Sequence, residues 1–228
     1  MTNERWNVDL HSHTLWSKDC VMRFETVIQL CRARGIDRIG ITDHNTAEGA
    51  LQMQRLAPDL VIVGEEIMTT KGEILAYFVK QSVPAGLSPQ ETINRLRDQG
   101  AAISVAHPFD RLRKGAWELD DLLAIKDQVD AIEVFNARCL FMEDNHKAVE
   151  FAAQYKVKGT AGSDAHSRSE YGRGMVQVPP FHDAASFALA LEQAEYVRSR
   201  SPLFVHGMST TAKWSKKLGL RQRQWEGG

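Results

Sequence analysis

Strand-like and helix-like runs alternate along this 228-residue chain, and its polar residues sort to one end of the strands. Apolar runs at 8–11, 38–42, 60–63, 74–79, 101–105, 131–135, 158–160 and 196–198 read as strands. Between them, helical spacing marks helices over 24–34, about 46–56, 88–100, 119–127, 141–155 and 183–193. Gly35 suits a helix C-cap, and Ser88 with Glu91 forms a capping box. Such alternation argues for an α/β fold with a mostly parallel sheet. His11, His44, Glu66, His107, Asn136, Asp164 and His166 all fall at or just past a strand's C-terminal end. Barrel enzymes place their chemistry on that face. The barrel strands number about seven, short of eight.

Composition narrows the class of partner. A net charge of −1 gives no global pull toward nucleic acid or an anionic membrane, and no basic track for a long polynucleotide is evident. No apolar run nears the ~20 residues of a membrane span, and no apolar signal core follows Met1. Three cysteines without framework spacing fit free thiols in a reducing cytoplasm. Residues 1–200 read as the main domain. Residues 201–228 are basic, carry Trp214 and Trp225, and read as an appended helix or tail.

The chemistry starts at His11-Ser12-His13. In an extended segment, residues two apart point the same way, so both imidazoles can reach one ion. Asp164-Ala165-His166 repeats that logic, and Asp164 can join the first ion. Glu66 can bridge two ions, whereas Glu65 points the other way and reads as a solvated or salt-bridged acid. Thr69 to Gly72 reads as a hairpin turn that brings Glu73 to the height of Glu66. His107 precedes Pro108, which restricts its backbone. His44 is a better ligand than Asp43, which suits orienting or catalytic work beside it. Asp19 is a ligand or a solvated loop acid. His146, His182 and His206 fall outside the pattern. Five histidines and three or four acids exceed the ligand needs of one ion, so two to three divalent ions are implied, of the kind that accept nitrogen and oxygen ligands: Mn²⁺, Zn²⁺ or Fe²⁺. Neither a G-x-S-x-G elbow nor a Walker loop is present.

His11-x-His13, Asp43-His44, Glu66, His107-Pro108 and Ser163-Asp164-x-His166, in this order, resemble the polymerase and histidinol phosphatase (PHP) superfamily over about residues 8–175. The resemblance implies a distorted (β/α)7 barrel and a trinuclear centre that hydrolyses phosphate esters. It assigns His11, His13, Glu66 and Asp164 to one ion, Glu66 and His107 to a second, and Asp19, His44 and His166 to the third. Glu73 stands where the second ion usually takes a histidine. The stretch from Glu133 to Arg138 looks like small stand-alone members.

The first expectation is therefore a metal-dependent phosphoesterase acting on a small phosphorylated substrate. An arginine fork should hold the phosphate, with Arg138, Arg173 and Arg168 as candidates in that order and Asn136 beside them. An amidohydrolase-like C–N hydrolase is the rival; it usually needs a bridging lysine at a strand end, and Glu66 takes that place. A non-catalytic metal-binding module is the third reading.

Overall fold

The computed structural model describes residues 4–201. The tail expected over 201–228 lies, beyond Ser201, outside the described residues, as does His206. Strand β1 (Trp6–Ser12) leads into helix α1 (Phe24–Arg34), which buries Phe24, Val27, Ile28 and Cys31 and ends on Gly35 at φ 63°, a left-handed cap. Strand β2 (Arg38–Ile41) and helix α2 (Glu48–Leu56) follow. The hairpin expected around Thr69 is formed by β3 (Val61–Met68) and β4 (Glu73–Tyr77). Helix α3 (Pro89–Asp98) opens at Ser88, whose Oγ accepts the Glu91 N–H at 3.2 Å. Then come β5 (Ala102–Val105), α4 (Leu119–Ile125), β6 (Ala131–Asn136), α5 (Met142–Tyr155) and β7 (Lys158–Gly162). Strand β8 (Gly174–Val178), helix α6 (Ala184–Ala190) and β9 (Glu195–Arg198) complete the described chain.

The strands form one sheet in the order β7-β6-β5-β4-β3-β2-β1-β8-β9. Neighbours run parallel except that β4 opposes β3 and β5, β8 opposes β1, and β9 opposes β8. The six strands β1, β2, β3, β5, β6 and β7 thus point the same way. The sheet curls until β7 meets β1: Asp164 N donates to His11 O at 2.7 Å, and His13 N to Ala165 O at 3.0 Å. Gly162 permits this approach, because a Cβ there would stand 2.2 Å from the Cβ of His11. This is the distorted seven-stranded α/β barrel expected. The strand β8, absent from the expected set, is short, glycine-led and bounded by Pro179 and Pro180, so its pattern is weak; pairing with β1 makes it a strand.

Two apolar layers hold the barrel. Outside it, Val27, Met53, Ile93, Leu96 and Phe151 of the helices pack on Ile39, Val61, Val63 and Ile103. Leu10, Ile62, Leu75, Tyr77 and Phe135 form the other cluster, capped by Phe181 and Phe187. Period-2 alternation puts Glu66 on the face of Ile62, Glu73 on that of Leu75 and Tyr77, and Glu133 on that of Ala131. Apolar residues thus fill one part of that face, and carboxylates stand nearer its C-terminal rim.

Candidate metal centre

All nine side chains expected to hold metal converge on the C-terminal face. His11 Nε2 lies 3.3 Å from Glu66 Oε1, and His107 Nε2 lies 3.1 Å from the same oxygen. His13 Nε2 is 3.2 Å from Asp164 Oδ1 and 3.4 Å from Glu66 Oε2. His44 Nδ1 approaches Glu66 Oε2 at 2.8 Å. His166 Nε2 and His44 Nε2 flank Asp19 Oδ1 at 3.2 and 3.5 Å. Glu73 Oε2 is 3.5 Å from His107 Nε2. Four overlapping sets each bring ligand atoms within 4.8 Å of one another: His11/His13/Asp164, His11/Glu66/His107, His13/His44/His166 and His44/Glu66/Glu73.

The donor set fits divalent cations. His11 Nε2, His13 Nε2, His166 Nε2 and Asp164 Oδ1 are buried without a hydrogen bond of acceptable geometry, although they stand within 4 Å of opposite-charge groups. Buried polar atoms are rarely left so, and cations between them would satisfy all four. Imidazole nitrogens mixed with carboxylate oxygens suit Zn²⁺, Mn²⁺ or Fe²⁺. Asp164 (φ 50°) and Asn45 (φ 56°), the latter next to His44, adopt left-handed backbone, which is uncommon for non-glycine residues.

A ring of further residues fixes which nitrogen faces inward. His11 Nδ1 lies 3.0 Å from Glu133 Oε1, so it donates there and presents Nε2. The other oxygen of Glu133 accepts His107 N–H at 2.8 Å and Asn136 Nδ2 at 3.1 Å. Ser17 Oγ donates to Asp43 Oδ1 at 2.6 Å and therefore accepts from His13 Nδ1 at 3.0 Å, leaving His13 Nε2 as the ligand atom. Asp164 splits its oxygens: Oδ1 faces His13 and His11, while Oδ2 takes Asn136 Nδ2 at 3.3 Å and the guanidinium of Arg113.

The electrostatics follow. Burial opposes charge on Glu66, but His11 and His44 together hold its carboxyl well below the usual range. Burial likewise opposes ionisation of Asp164, and Arg113 and His11 overcome it. Burial, with His166 and His44 adding positive charge, drives His13 far down, toward the neutral form a metal needs. Burial and the neighbouring Glu66 raise Glu73.

Several expectations are corrected. Of the two roles expected for Asp43 the geometry fits orientation: it accepts from Thr14 N, Thr14 Oγ1 and Ser17 Oγ at 2.6–2.7 Å, and so positions Ser17 behind His13. Asn136 is likewise turned inward, holding Glu133 and Asp164 and accepting Arg138 N–H. Glu73 pairs with Met68, not Glu66, and meets the site diagonally from Glu66. Glu65 is fully buried; it accepts Val83 N at 2.9 Å, and burial pushes it up to about 8. Of the arginines, Arg138 reaches the cluster, with Nη1 2.5 Å from His166 Nδ1 and Nε 3.2 Å from Glu170. Arg173 is tied to the carbonyls of Ser169 and Arg200, and Arg168 is exposed; the structure brings neither to the cluster. Arg113, Glu133 and Ser17 escape sequence reasoning. Glu133 had one signal, an acid inside an apolar strand. Arg113 had another, a basic run in the loop that leaves His107.

Residues 9–78 match the PHP domain family and residues 142–196 the PHP-associated family. Two uncharacterized proteins of Methanocaldococcus jannaschii are similar. One is 36% identical over 142 residues, covering 57% of this chain and 81% of the relative. The other is 35% identical over 173 residues, covering 75% and 69%. Among solved structures, a two-domain protein from Bacteroides vulgatus, containing a predicted PHP-like metal-dependent phosphoesterase, superposes with a TM-score of 0.70 at 19% identity. That match covers 86% of this chain and 65% of the longer Bacteroides protein, so the chain spans just under two thirds of it.

Proposed function

The chain belongs to the PHP superfamily, and from that premise we propose that it is a metal-dependent phosphoesterase that hydrolyses a small phosphate ester by direct attack of water. The observation that carries this reading is the convergence of five histidines with Glu66, Glu73 and Asp164 in four overlapping sets at one strand-end face, with Asp19 beside His44 and His166. Two to three Mn²⁺, Zn²⁺ or Fe²⁺ ions held there would orient the phosphate, stabilise charge on its oxygens and acidify a water. The residues of the chain do the rest. His11, His13, His44, His107 and His166 would hold the ions through ring nitrogens, with the tautomers set from behind at His11 and His13. Glu66 lies between four of these histidines and suits a bridge. Arg138, at the edge of the cluster beside His166, would hold the phosphate through its guanidinium.

Glu66, close to His11, His13, His44 and His107, stands where an amidohydrolase-like site would carry a bridging lysine. Among the described residues, Ser17 gives its proton to Asp43 and accepts from His13, so His13 does not act on it as a base, and burial holds the Cys139 thiol neutral. Cys20, Cys31 and Cys139 are all free, in keeping with a cytoplasmic enzyme. No helix of the described residues is long and apolar enough to cross a membrane. The test is a panel of nucleotides, oligonucleotide ends and phosphorylated metabolites, with amide substrates as controls, offered to Mn²⁺-loaded protein. Turnover in ¹⁸O-water should place label in the released phosphate. A trapped phosphoenzyme, or cleavage of the amides alone, would defeat the proposal.

A further inference from the structure

The other end of the barrel carries a feature that the metal chemistry does not use. A cavity of about 620 Å³ opens among Trp6, Arg38, Val61, Phe78 and His182. Trp6, Arg38 and Val61 begin β1, β2 and β3, and Phe78 follows the antiparallel β4, so the cavity lies opposite the face of His11, His44 and Glu66. Its size is that of a small-molecule site.

Arg38 is the polar centre. Its guanidinium carbon sits 5.5 Å from the ring of Trp6 and 5.5 Å from that of Phe181, so two aromatic faces hold it in place. Nε of Arg38 is buried without a partner. Burial opposes the charge on Arg38, and Asp59 at the exposed lip partly offsets it. A planar fork fixed in position, with a buried N–H and no acceptor for it, matches a carboxylate or phosphate group. The surrounding wall is aromatic. Trp6 meets Phe181 edge-on at 5.6 Å and the ring of His182 at 5.9 Å. Phe78 adopts φ 62°, a conformation that bulky residues rarely accept, and packs edge-on to Phe181 at 6.2 Å.

We propose that this cavity is a second binding site, for a small aromatic or apolar molecule that carries an oxyanion group held by Arg38. Its body lies along Trp6 and Phe78, with His182 at the mouth offering a further donor. The site is separate from the metal cluster and stands whether or not the chain is a phosphoesterase.

Calorimetric titration of the full-length, metal-loaded protein with phenylphosphonate and with benzoate tests this, alongside tryptophan fluorescence. Because phenylphosphonate can also meet the metals, each titration is repeated in His107→Ala and after chelation. The expected result is one binding event that survives both treatments and weakens at least roughly tenfold in Arg38→Gln, the loss of a charge-assisted contact. Arg38→Lys should recover part of it, and Asp59→Asn should tighten it by removing a competing charge. Trp6→Phe should abolish the fluorescence change. The tighter of the two probes identifies a phosphate or a carboxylate ligand. No binding of either probe, wild-type affinity in Arg38→Gln, weaker binding in Asp59→Asn, or binding that disappears with the metals would each overturn the proposal.

Discussion

At Asp164 the two carboxylate oxygens face different neighbours, His13 and His11 on one side, Arg113 and Asn136 on the other. That division explains how a residue deep in the barrel stays ionised and aimed. It also gives Arg113 a positioning role. Arg113→Ala should lower metal affinity by roughly 10- to 100-fold, the usual cost of losing a partner behind a ligand, and Arg113→Lys should restore part of it. Competition with a metallochromic chelator reads the affinity directly; unchanged affinity in Arg113→Ala would show that Asn136 alone suffices. Arg138 differs, since it lies at the cluster's edge beside His166 and is not a ligand. A charge-assisted hydrogen bond contributes about 1.5–3 kcal/mol, so Arg138→Ala should lower kcat/KM by roughly 10- to 150-fold while elemental analysis finds full metal content. Wild-type kinetics in that variant would remove Arg138 from the phosphate site.

At the scale of elements, the meeting of β7 and β1 decides whether the two H-x-H-like pairs share a site. Their contact rests on Gly162, where a methyl group would collide with Cβ and backbone N of His11 at 2.2 and 2.7 Å. Backbone cannot give way as a flexible side chain can. Gly162→Ala should therefore cost at least about 1–3 kcal/mol, the usual range for overpacking, and should also displace His11. Urea unfolding and metal analysis on the same sample would register both losses; a variant with normal stability and normal metal content would mean that the strands close elsewhere. The hairpin of β3 and β4 does comparable work. Its antiparallel return brings Glu73 to the rim of the barrel, and Gly115 of the loop between β5 and α4 lies so close that a Cβ there would strike the Glu73 carboxylate.

For the whole molecule, the cluster ties strands that are far apart in sequence: β1, β3, β4, and the ends of β2, β5 and β7. Ions that bind only the folded chain stabilise it by mass action, by about 2.7 kcal/mol at a hundredfold excess over Kd. Chelation should therefore lower Tm by several degrees, and Mn²⁺ or Zn²⁺ should restore it. Titration should saturate at two to three ions per chain. A Tm indifferent to chelator, or saturation at one ion, would contradict a multinuclear centre.

The local order of the chain determined a good deal by itself. Strand and helix periodicities are short-range, so the alternation, the caps at Ser88 and Gly35, and the sorting of His11, His44, Glu66, His107 and Asp164 to one face were legible without coordinates. Tertiary structure decided the rest. In β1, Val8 and Leu10 pack with one apolar cluster, and regular alternation would continue that face to Ser12; a register shift between Asp9 and Ser12 turns His11 and His13 to the site instead. Hydrogen bonds from Thr14 and Ser17, which follow His13 in the chain, are what hold Asp43 behind the histidines. Loop paths chose among the arginines: Arg113 returns over Asp164, whereas the backbone carbonyls of Ser169 and Arg200 take Arg173. The physical reason is the same in each case. Periodicity fixes which way a side chain points within its own strand, but bulges, loop returns and competition for hydrogen-bond partners depend on strands that meet only when the barrel closes.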